Sequence, residues 1–285
     1  MTVRILQRGF NFSQDGPGNR LVYHLQGCTM RCPWCSNPES IAPDGCILAA
    51  GAEADALCPR GAVHGGRPDR AVCSRCDRPC LALHDKRLRF SCTEESVEDV
   101  LREIEKSRLL FFDGGGVTFT GGEATMQFDA LSALLTALQR KGVHTALETN
   151  GSHPDLPHLF DRIDYLIMDV KHWDDETHRR VIGASNRQTL RNLRDAAGLR
   201  AQLLVRIPLV GGFNSTPNDA KQFADLLSCL KAGHAVEVLR YHEYGRDKWK
   251  QCGMDYAVRD AFVPDETYQD FCGVLLENGL HLVHT

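Results

Sequence analysis

From residue 93 onward, short apolar strand patterns alternate with amphipathic helix patterns, and this alternation limits the possible folds more than any other feature. GVTFT (116–120) reads as a strand, followed by FDALSALLTALQRKG, a helix closed by Gly142. HTALET (144–149) and RIDYLIMDV (162–170) are strands, and a helix falls near 187–198. QLLVRIPLV (202–210), DAKQFADLLSCLKAG and AVEVLRY (235–241) continue as strand, helix and strand. ETYQDFCGVLLENG and LHLV close the chain as a helix and a terminal strand. Thr93 is expected to precede a helix, EESVEDVLREIEKS, whose acidic first turn suits the positive end of the helix dipole. RLVYHLQ (20–26) adds an earlier strand. Repetition of this kind builds a parallel sheet with right-handed crossovers. About six units are visible, fewer than a closed eight-unit barrel needs. The expected fold class is therefore α/β, a partial (β/α)6 TIM-like barrel, with its chemistry at the C-terminal ends of the strands.

Cysteine usage separates a second region from this body. Nine of the twelve cysteines lie between Cys28 and Cys92. Residues 41–92 are rich in Cys, Gly, Pro, Arg and Asp and keep no sustained helical or strand period. A segment that cannot build its own core is expected to be a small metal-stapled insert, leaving 1–40 and 93–285 as the barrel. Cys229, Cys252 and Cys272 stand apart and read as small buried hydrophobes. The N-terminus shows no apolar segment with a cleavage site, and no apolar run approaches the roughly 20 residues of a membrane span. A cytoplasmic location is expected, where reduced thiols clustered in sequence point to metal before disulfides. The net charge of −4, without a basic block, argues against nucleic acid or an anionic membrane as the main partner.

The segment GCTMRCPWCSNPES (27–40) places Cys28, Cys32 and Cys35 in one loop after the first strand pattern. Three thiolates at this spacing suit three corners of a 4Fe–4S cluster, whereas an electron-transfer cluster normally takes four. The fourth iron stays open, as catalytic metal sites keep a position for substrate. S-adenosylmethionine (SAM) fits that position through its amino and carboxylate groups, and an electron from the cluster then cleaves a C–S bond. A zinc loop and a cluster completed by a distant fourth cysteine are the competing readings.

Seven further strings bear on that choice. They are DGPG (15–18), WCSNPES, VTFTGGEATMQ (117–127), ETNG (148–151), IMDVK (167–171), VRIPLVGGFN (205–214) and YHEYGRDKW (241–249). In number and order they resemble the glycyl-radical-enzyme activating enzymes of the radical SAM superfamily, the group that includes pyruvate formate-lyase activase and relatives with a ferredoxin-like iron–sulfur insert. The resemblance runs almost end to end. It implies that Cys28, Cys32 and Cys35 hold the SAM-binding cluster. It also implies that Gly121, Gly122 and Glu123 hold the SAM amino group, that Lys171 meets the methionyl carboxylate, and that His242 contacts SAM. Trp34 and Arg206 are expected at the same cofactor site. In pyruvate formate-lyase activase an Asp-Thr pair and a later strand bind a monovalent cation beside SAM. Here Glu148-Thr149 replaces Asp-Thr while Asp169 is retained, which puts that cation in doubt. Asp15 resembles a residue near the docked glycine loop of the partner, although Asp-Gly-Pro-Gly is equally good turn chemistry.

Relatives with two auxiliary clusters carry two C-x2-C-x2-C-x3-C-P runs, each giving its fourth Cys to the other cluster. The first run here keeps only Cys46 and Cys58, and the second keeps Cys73, Cys76 and Cys80 with His84 near its fourth position. Under the crossed rule the surviving set is Cys58, Cys73, Cys76 and Cys80, enough for one auxiliary 4Fe–4S cluster. A zinc site, or Cys46 or Cys92 in place of Cys58, are the alternatives. The resemblance implies an oxidoreductase that cleaves SAM and takes hydrogen from a backbone glycine of a partner glycyl radical enzyme. It further implies a flavodoxin or ferredoxin as electron donor, an anaerobic setting, and a monomer. A lyase, dehydratase or decarboxylase relative is a better candidate partner than pyruvate formate-lyase. A radical SAM enzyme acting on a small molecule or peptide, and a simple iron–sulfur electron carrier, are the alternatives.

Overall fold

The fold was analysed in a computed structural model that describes residues 1–11 and 14–285. Among these, eight strands form one sheet: β1 (Thr2–Asn11), β2 (Arg20–Leu25), β3 (Thr93–Ser96), β4 (Gly116–Gly121), β5 (Thr145–Thr149), β6 (Tyr165–Asp169), β7 (Gln202–Leu209) and β8 (Ala235–Arg240). Their order across the sheet is β8-β7-β6-β5-β4-β2-β1-β3. The six strands from β2 to β8 within that order run parallel, while β1 is antiparallel to both β2 and β3. The edges β8 and β3 do not pair with each other, so the sheet is an open barrel built on six parallel strands. The sequence alternation anticipated this number.

Seven helices accompany the sheet: α1 (Val97–Ser107), α2 (Phe128–Arg140), α3 (Asp175–Ile182), α4 (Arg187–Ala196), α5 (Pro217–Leu227), α6 (Arg246–Gln251) and α7 (Asp265–Glu277). Their ends follow local chemistry. Ser96 caps α1 by accepting from the Asp99 N–H at 3.0 Å. Thr216 and Asp219 form a reciprocal capping box at α5 with Pro217 in the first turn. Gly142 follows α2 in the left-handed conformation.

The start of α1 differs from expectation. Thr93–Ser96 does not begin the helix but pairs antiparallel with Thr2–Ile5 of β1. The ladder on the free edge of β1 satisfies these backbone groups, and the first residue able to cap is then Ser96. β1 itself escaped the pattern reading, because its only inward apolar residues at the start, Val3 and Ile5, are separated by Arg4 and followed by the polar Gln7-Arg8. The terminal LHLV is a single parallel bridge from Leu282 to Val236 rather than a full strand.

Side chains alternate across each parallel strand. Leu21, Tyr23 and Leu25 of β2, Val117 and Phe119 of β4, Leu166 and Met168 of β6, and Leu203, Val205 and Ile207 of β7 belong to the main apolar core. Leu131, Leu134, Leu135 and Leu138 of α2 and Val100 and Ile104 of α1 pack into that core. The intervening residues form the other face, whose end at the cavity is polar: His24, Thr120, Glu148, Asp169 and Arg206. Residues 41–92 carry two short two-stranded ladders and a small apolar cluster of their own around Ile47, Ala49, Ala54, Val63 and Leu88.

Candidate active site

A cavity of about 450 Å³ opens at the C-terminal ends of the parallel strands. Cys28, Cys32 and Cys35 line it together with Trp34, Gly121, Gly122, Glu148, Asp169, Lys171, Arg206 and His242. Asp15 of the DGPG turn lines it too, and its carbonyl accepts from Thr118 Oγ1 at 2.7 Å. All the residues expected at the cofactor site except Glu123 therefore reach one space.

The cysteine loop follows β2 and is held from several sides. Gly27 N–H donates to the Ser40 carbonyl at 2.8 Å, and Cys28 N–H to the Ile41 carbonyl at 3.3 Å. Asn150 Nδ2 approaches Cys28 Sγ at 3.9 Å, and the Met30 N–H donates to the same sulfur at 3.4 Å. Burial pushes the Cys28 and Cys32 thiols up to about 12 and Cys35 up to about 11. Three thiolates in this place require a coordinated cation to hold them deprotonated, which fits a metal cluster. Among the described residues, no three His, Cys, Asp or Glu side chains gather as closely as ligands of a single metal ion do.

Glycine makes the approach to this loop possible. Gly121 has φ +127°, and a Cβ there would sit 2.3 Å from the Leu25 backbone. A Cβ on Gly122 would sit 2.4 Å from the Gly27 carbonyl. Strand β4 thus lies directly against the chain entering the cysteine motif, leaving its turn open to the cavity. Glu123 points away, 1% exposed. Its carboxylate accepts from Thr125 N–H and Oγ1, Thr149 Oγ1 and Asn150 N–H at 2.6–2.9 Å. This ties the end of β4 to the end of β5. In the described state Glu123 organises the wall rather than lining the space.

Two ion-pair systems lie on the polar face. Lys171 Nζ sits 3.1 Å from Asp169 Oδ2 with its side chain largely buried. Burial alone would lower the Lys171 ammonium, but Asp169 and the Cys32 sulfur beside it raise it above its ordinary value. Arg206 is 4% exposed, with Nη1 2.5 Å from Glu148 and Nε 2.8 Å from Glu237. Burial pulls Arg206 down, and the two carboxylates more than reverse it. Burial raises the Glu148 carboxyl even beside Arg206. Thr120 Oγ1 adds a 2.6 Å bond to Glu148, and Thr285 N–H and Oγ1 bond Glu237 at 2.8 and 2.7 Å. Arg206 is therefore paired with Glu148 and Glu237 at once. His242 stacks on exposed Tyr244 at 4.2 Å, and burial lowers its pKa, leaving a neutral ring at the cavity wall.

Several contributors escaped sequence reasoning. His24 lines the cavity and makes no hydrogen bond of its own, and its buried Nδ1 has no partner. Burial lowers its pKa, which favours a neutral ring. The strand period placed His24 on the polar face, but nothing in the sequence marked that face as functional. The YHEYGRDKW string proves to be a clamp. Trp249 Nε1 donates to the Cys35 carbonyl at 2.9 Å, and Lys248 Nζ pairs with Glu39 at 2.9 Å. Gly245 fits where a Cβ would sit 2.5 Å from the Cys35 carbonyl.

A second constellation lies in the 41–92 segment. Cys58, Cys73, Cys76 and Cys80 line one small cavity, which neither Cys46, Cys92 nor His84 lines. The Ala62 N–H donates to Cys58 Sγ and the Arg78 N–H to Cys76 Sγ, each at 3.3 Å. Burial, and then the neighbouring Cys58, Cys80 and Cys76 sulfurs, push Cys73 up to about 11.

Residues 22–227 match the model of the radical SAM superfamily, which covers well over half of the chain. The chain belongs to the radical SAM superfamily. Within it, the chain is 35% identical over 276 residues to the isethionate sulfite-lyase activating enzyme of Nitratidesulfovibrio vulgaris, covering 89% of this chain and 88% of that protein. It is 28% identical over 294 residues to a 4-hydroxyphenylacetate decarboxylase activating enzyme of Clostridioides difficile, covering 93% of this chain and 90% of that protein. These relatives place it among the glycyl-radical-enzyme activating enzymes, and a radical SAM protein of this group uses a 4Fe–4S cluster and SAM. The fold is shared more widely. The crystal structure of Streptococcus suis SuiB bound to precursor peptide SuiA aligns with TM-score 0.56 at 11% identity, over 92% of this chain and 47% of that one. Among the described residues, no helix is long and apolar enough to cross a membrane.

Proposed function

We propose that this radical SAM activating enzyme binds its cluster through Cys28, Cys32 and Cys35, binds SAM in the cavity beside them, and takes hydrogen from a backbone glycine of a glycyl radical enzyme. The observation that carries the assignment of residues is the convergence of those cysteines with Gly121, Gly122, Asp169, Lys171 and His242 on one cavity at the strand ends. When bound, the cluster supplies one electron to SAM, and SAM supplies the group that abstracts hydrogen. The chain's own residues bind and orient. Lys171 is a fixed cation suited to a carboxylate, held in place by Asp169. The carbonyls of the Gly121–Gly122 turn suit an ammonium group. Neutral His242 and Trp34 offer flat surfaces and hydrogen bonds to a nucleoside. Glu123, Trp249 and Lys248 hold the walls.

In the same proposal, residues 41–92 form an insert holding one auxiliary 4Fe–4S cluster on Cys58, Cys73, Cys76 and Cys80. Their shared cavity supports this ligand set over one that includes Cys46 or Cys92. A flavodoxin or ferredoxin supplies electrons to a monomeric enzyme in an oxygen-free cytoplasm. The relatives named above act, by their names, on a sulfite-lyase and a decarboxylase, so a lyase or decarboxylase is the partner class to try first.

The test is made anaerobically with reconstituted enzyme, dithionite and SAM. Release of 5′-deoxyadenosine, followed by a glycine-centred electron paramagnetic resonance doublet on adding a partner lyase or decarboxylase, supports the reading. SAM cleavage that yields no glycyl signal with any partner of this class would turn the reading toward a small-molecule or peptide substrate. No cleavage at all would leave the superfamily chemistry lost in this chain.

A further inference from the structure

Cys46 and Cys252 are far apart in sequence and belong to neither ligand set proposed above. The fold brings them together around Arg70: Cys46 shares a cavity with Pro68 and Arg70, Arg70 reaches the Cys252 carbonyl, and each thiol shifts the titration of the other. Both backbones are fixed. Cys46 exchanges two hydrogen bonds with Ser91, its N–H donating to Ser91 Oγ at 3.0 Å and its carbonyl accepting from the Ser91 N–H at 2.9 Å. Cys252 ends α6, its N–H donating to the Lys248 carbonyl at 2.9 Å. The flanking segments are locked to each other. Arg67 pairs with Asp255 at 2.7 Å, Arg70 Nη1 donates to the Cys252 carbonyl at 3.4 Å, and a Cβ on Gly253 would sit 2.1 Å from the Pro68 carbonyl.

The two sulfurs differ in access. Cys252 is fully buried, at 0% exposure. Cys46 is half-buried and lines a surface cavity of about 240 Å³ shared with Arg70, Arg78, Asp44, Phe90 and Cys73. The two arginines outweigh Asp44 in charge, and such a pocket favours a thiolate and an anionic small reagent. An accessible thiol backed by a buried one is the arrangement that completes thiol–disulfide exchange rather than stopping at a mixed disulfide. The two thiols shift each other in the same sense, Cys46 down and Cys252 up, and the Cys46 thiol also donates to the Glu39 carbonyl at 3.8 Å.

We propose that Cys46 and Cys252 form a reversible dithiol–disulfide pair, in which Cys46 attacks a low-molecular-weight disulfide and Cys252 resolves the product. The Cys46 thiolate displaces one thiolate from the reagent and forms a mixed disulfide. Cys252, losing its proton, attacks the Cys46 sulfur and displaces the second thiolate. Two protein thiols lose two electrons, and one small disulfide becomes two thiols. The bond covalently joins the 41–92 segment to the end of α6, the helix whose Trp249 holds the Cys35 carbonyl. Mild oxidation then adds a covalent tie to the clamp on the cluster loop. This inference does not depend on the activating function or on the auxiliary cluster.

The test uses anaerobic holoenzyme, incubated with glutathione disulfide, quenched with iodoacetamide and mapped by peptide mass spectrometry. The expected result is a Cys46–Cys252 linked peptide, the loss of two alkylatable thiols, and their recovery with dithiothreitol. Cys252→Ser is expected to accumulate one glutathione on Cys46, and Cys46→Ser to leave Cys252 reduced, each with wild-type iron content. Wild-type Cys252 that stays free while Cys46 is modified overturns the proposal, as does a Cys46–Cys73 link. Iron lost from Cys46→Ser overturns it as well, since Cys46 is then a cluster ligand. The wild-type map decides the matter even if a variant fails to fold.

Discussion

Replacing Arg206 with methionine strips the shared counter-ion from two buried carboxylates while keeping much of the side-chain volume. Arg206 bridges Glu148 at 2.5 Å and Glu237 at 2.8 Å, and those acids are only 19% and 2% exposed. In the variant, Glu148 keeps its bond from Thr120 and Glu237 keeps its bonds from Thr285. Among the described residues, neither acid then keeps a cation within ion-pair distance. Breaking a buried pair by removing one partner costs about 3–5 kcal/mol. The remaining hydrogen bonds hold the loss within that range rather than above it.

The pH dependence gives the argument its sharper test. Burial already raises the Glu148 carboxyl in the intact protein, and losing Arg206 raises it further. An acid whose pKa is raised on folding binds its proton more tightly in the folded state, so stability falls as pH rises through that folded pKa. The Arg206→Met penalty should be full near about pH 8 and shrink toward about pH 5, as the orphaned Glu148 carboxylate protonates. Urea unfolding of anaerobically prepared protein, followed by circular dichroism, reads this as a lower midpoint at unchanged slope. Changing Glu148 and Glu237 to glutamine as well removes the stranded charges and should restore part of the loss. A penalty below about 1 kcal/mol, or one equal at both pH values, would refute the buried-pair reasoning.

Lys171→Met should weaken SAM binding by roughly 10- to 100-fold, the worth of one charged hydrogen bond, with equilibrium dialysis as the check. Gly245→Ala puts a methyl group 2.5 Å from the Cys35 carbonyl, so iron per chain should drop through the SAM-binding cluster and SAM should no longer perturb the spectrum of what remains. Cys58→Ala should cost one cluster's share of iron and sulfide while SAM-dependent spectral changes survive, and unchanged iron would remove Cys58 from the auxiliary set.

The sequence made the frame legible because period and burial agree. Leu166 and Met168 alternate with Ile167 and Asp169 in β6, and this period survives folding because one face meets helices and the other meets the cavity. The cysteine loop, the glycine pair and Lys171 were legible because each carries its chemistry in a short string. What remained hidden depends on partners distant in sequence. Arg206 was recognisable as costly to bury, yet Glu237 became its partner only when β7 and β8 paired in register at those residues. The start of α1 was misjudged because Thr93 and Ser96 are both able to cap, and only the free edge of β1 chooses between them. Of the three cysteines read as small buried hydrophobes, Cys252 is buried and Cys272 half-buried, but Cys229 is exposed just beyond α5, and the Cys46 neighbour of Cys252 comes from a segment distant in sequence.

The polar face also departs from the rule that a barrel interior fills with branched apolar side chains. Apolar residues in place of Glu148, Arg206 and Glu237 would avoid a desolvation cost that the ion pairs recover only in part. The departure is confined to one layer. Two residues away on the same face of the same strands, Val22, Ala146, Ile167 and Leu204 are buried and apolar. A local breach within an otherwise consistent pattern is where function is expected to reside. The formal charges fit that view: Glu148, Asp169 and Glu237 stand against Lys171 and Arg206, leaving one negative charge over. A sulfonium-bearing ligand carries the opposite sign, so under the proposed function the layer that weakens the core is also the one that would complement SAM.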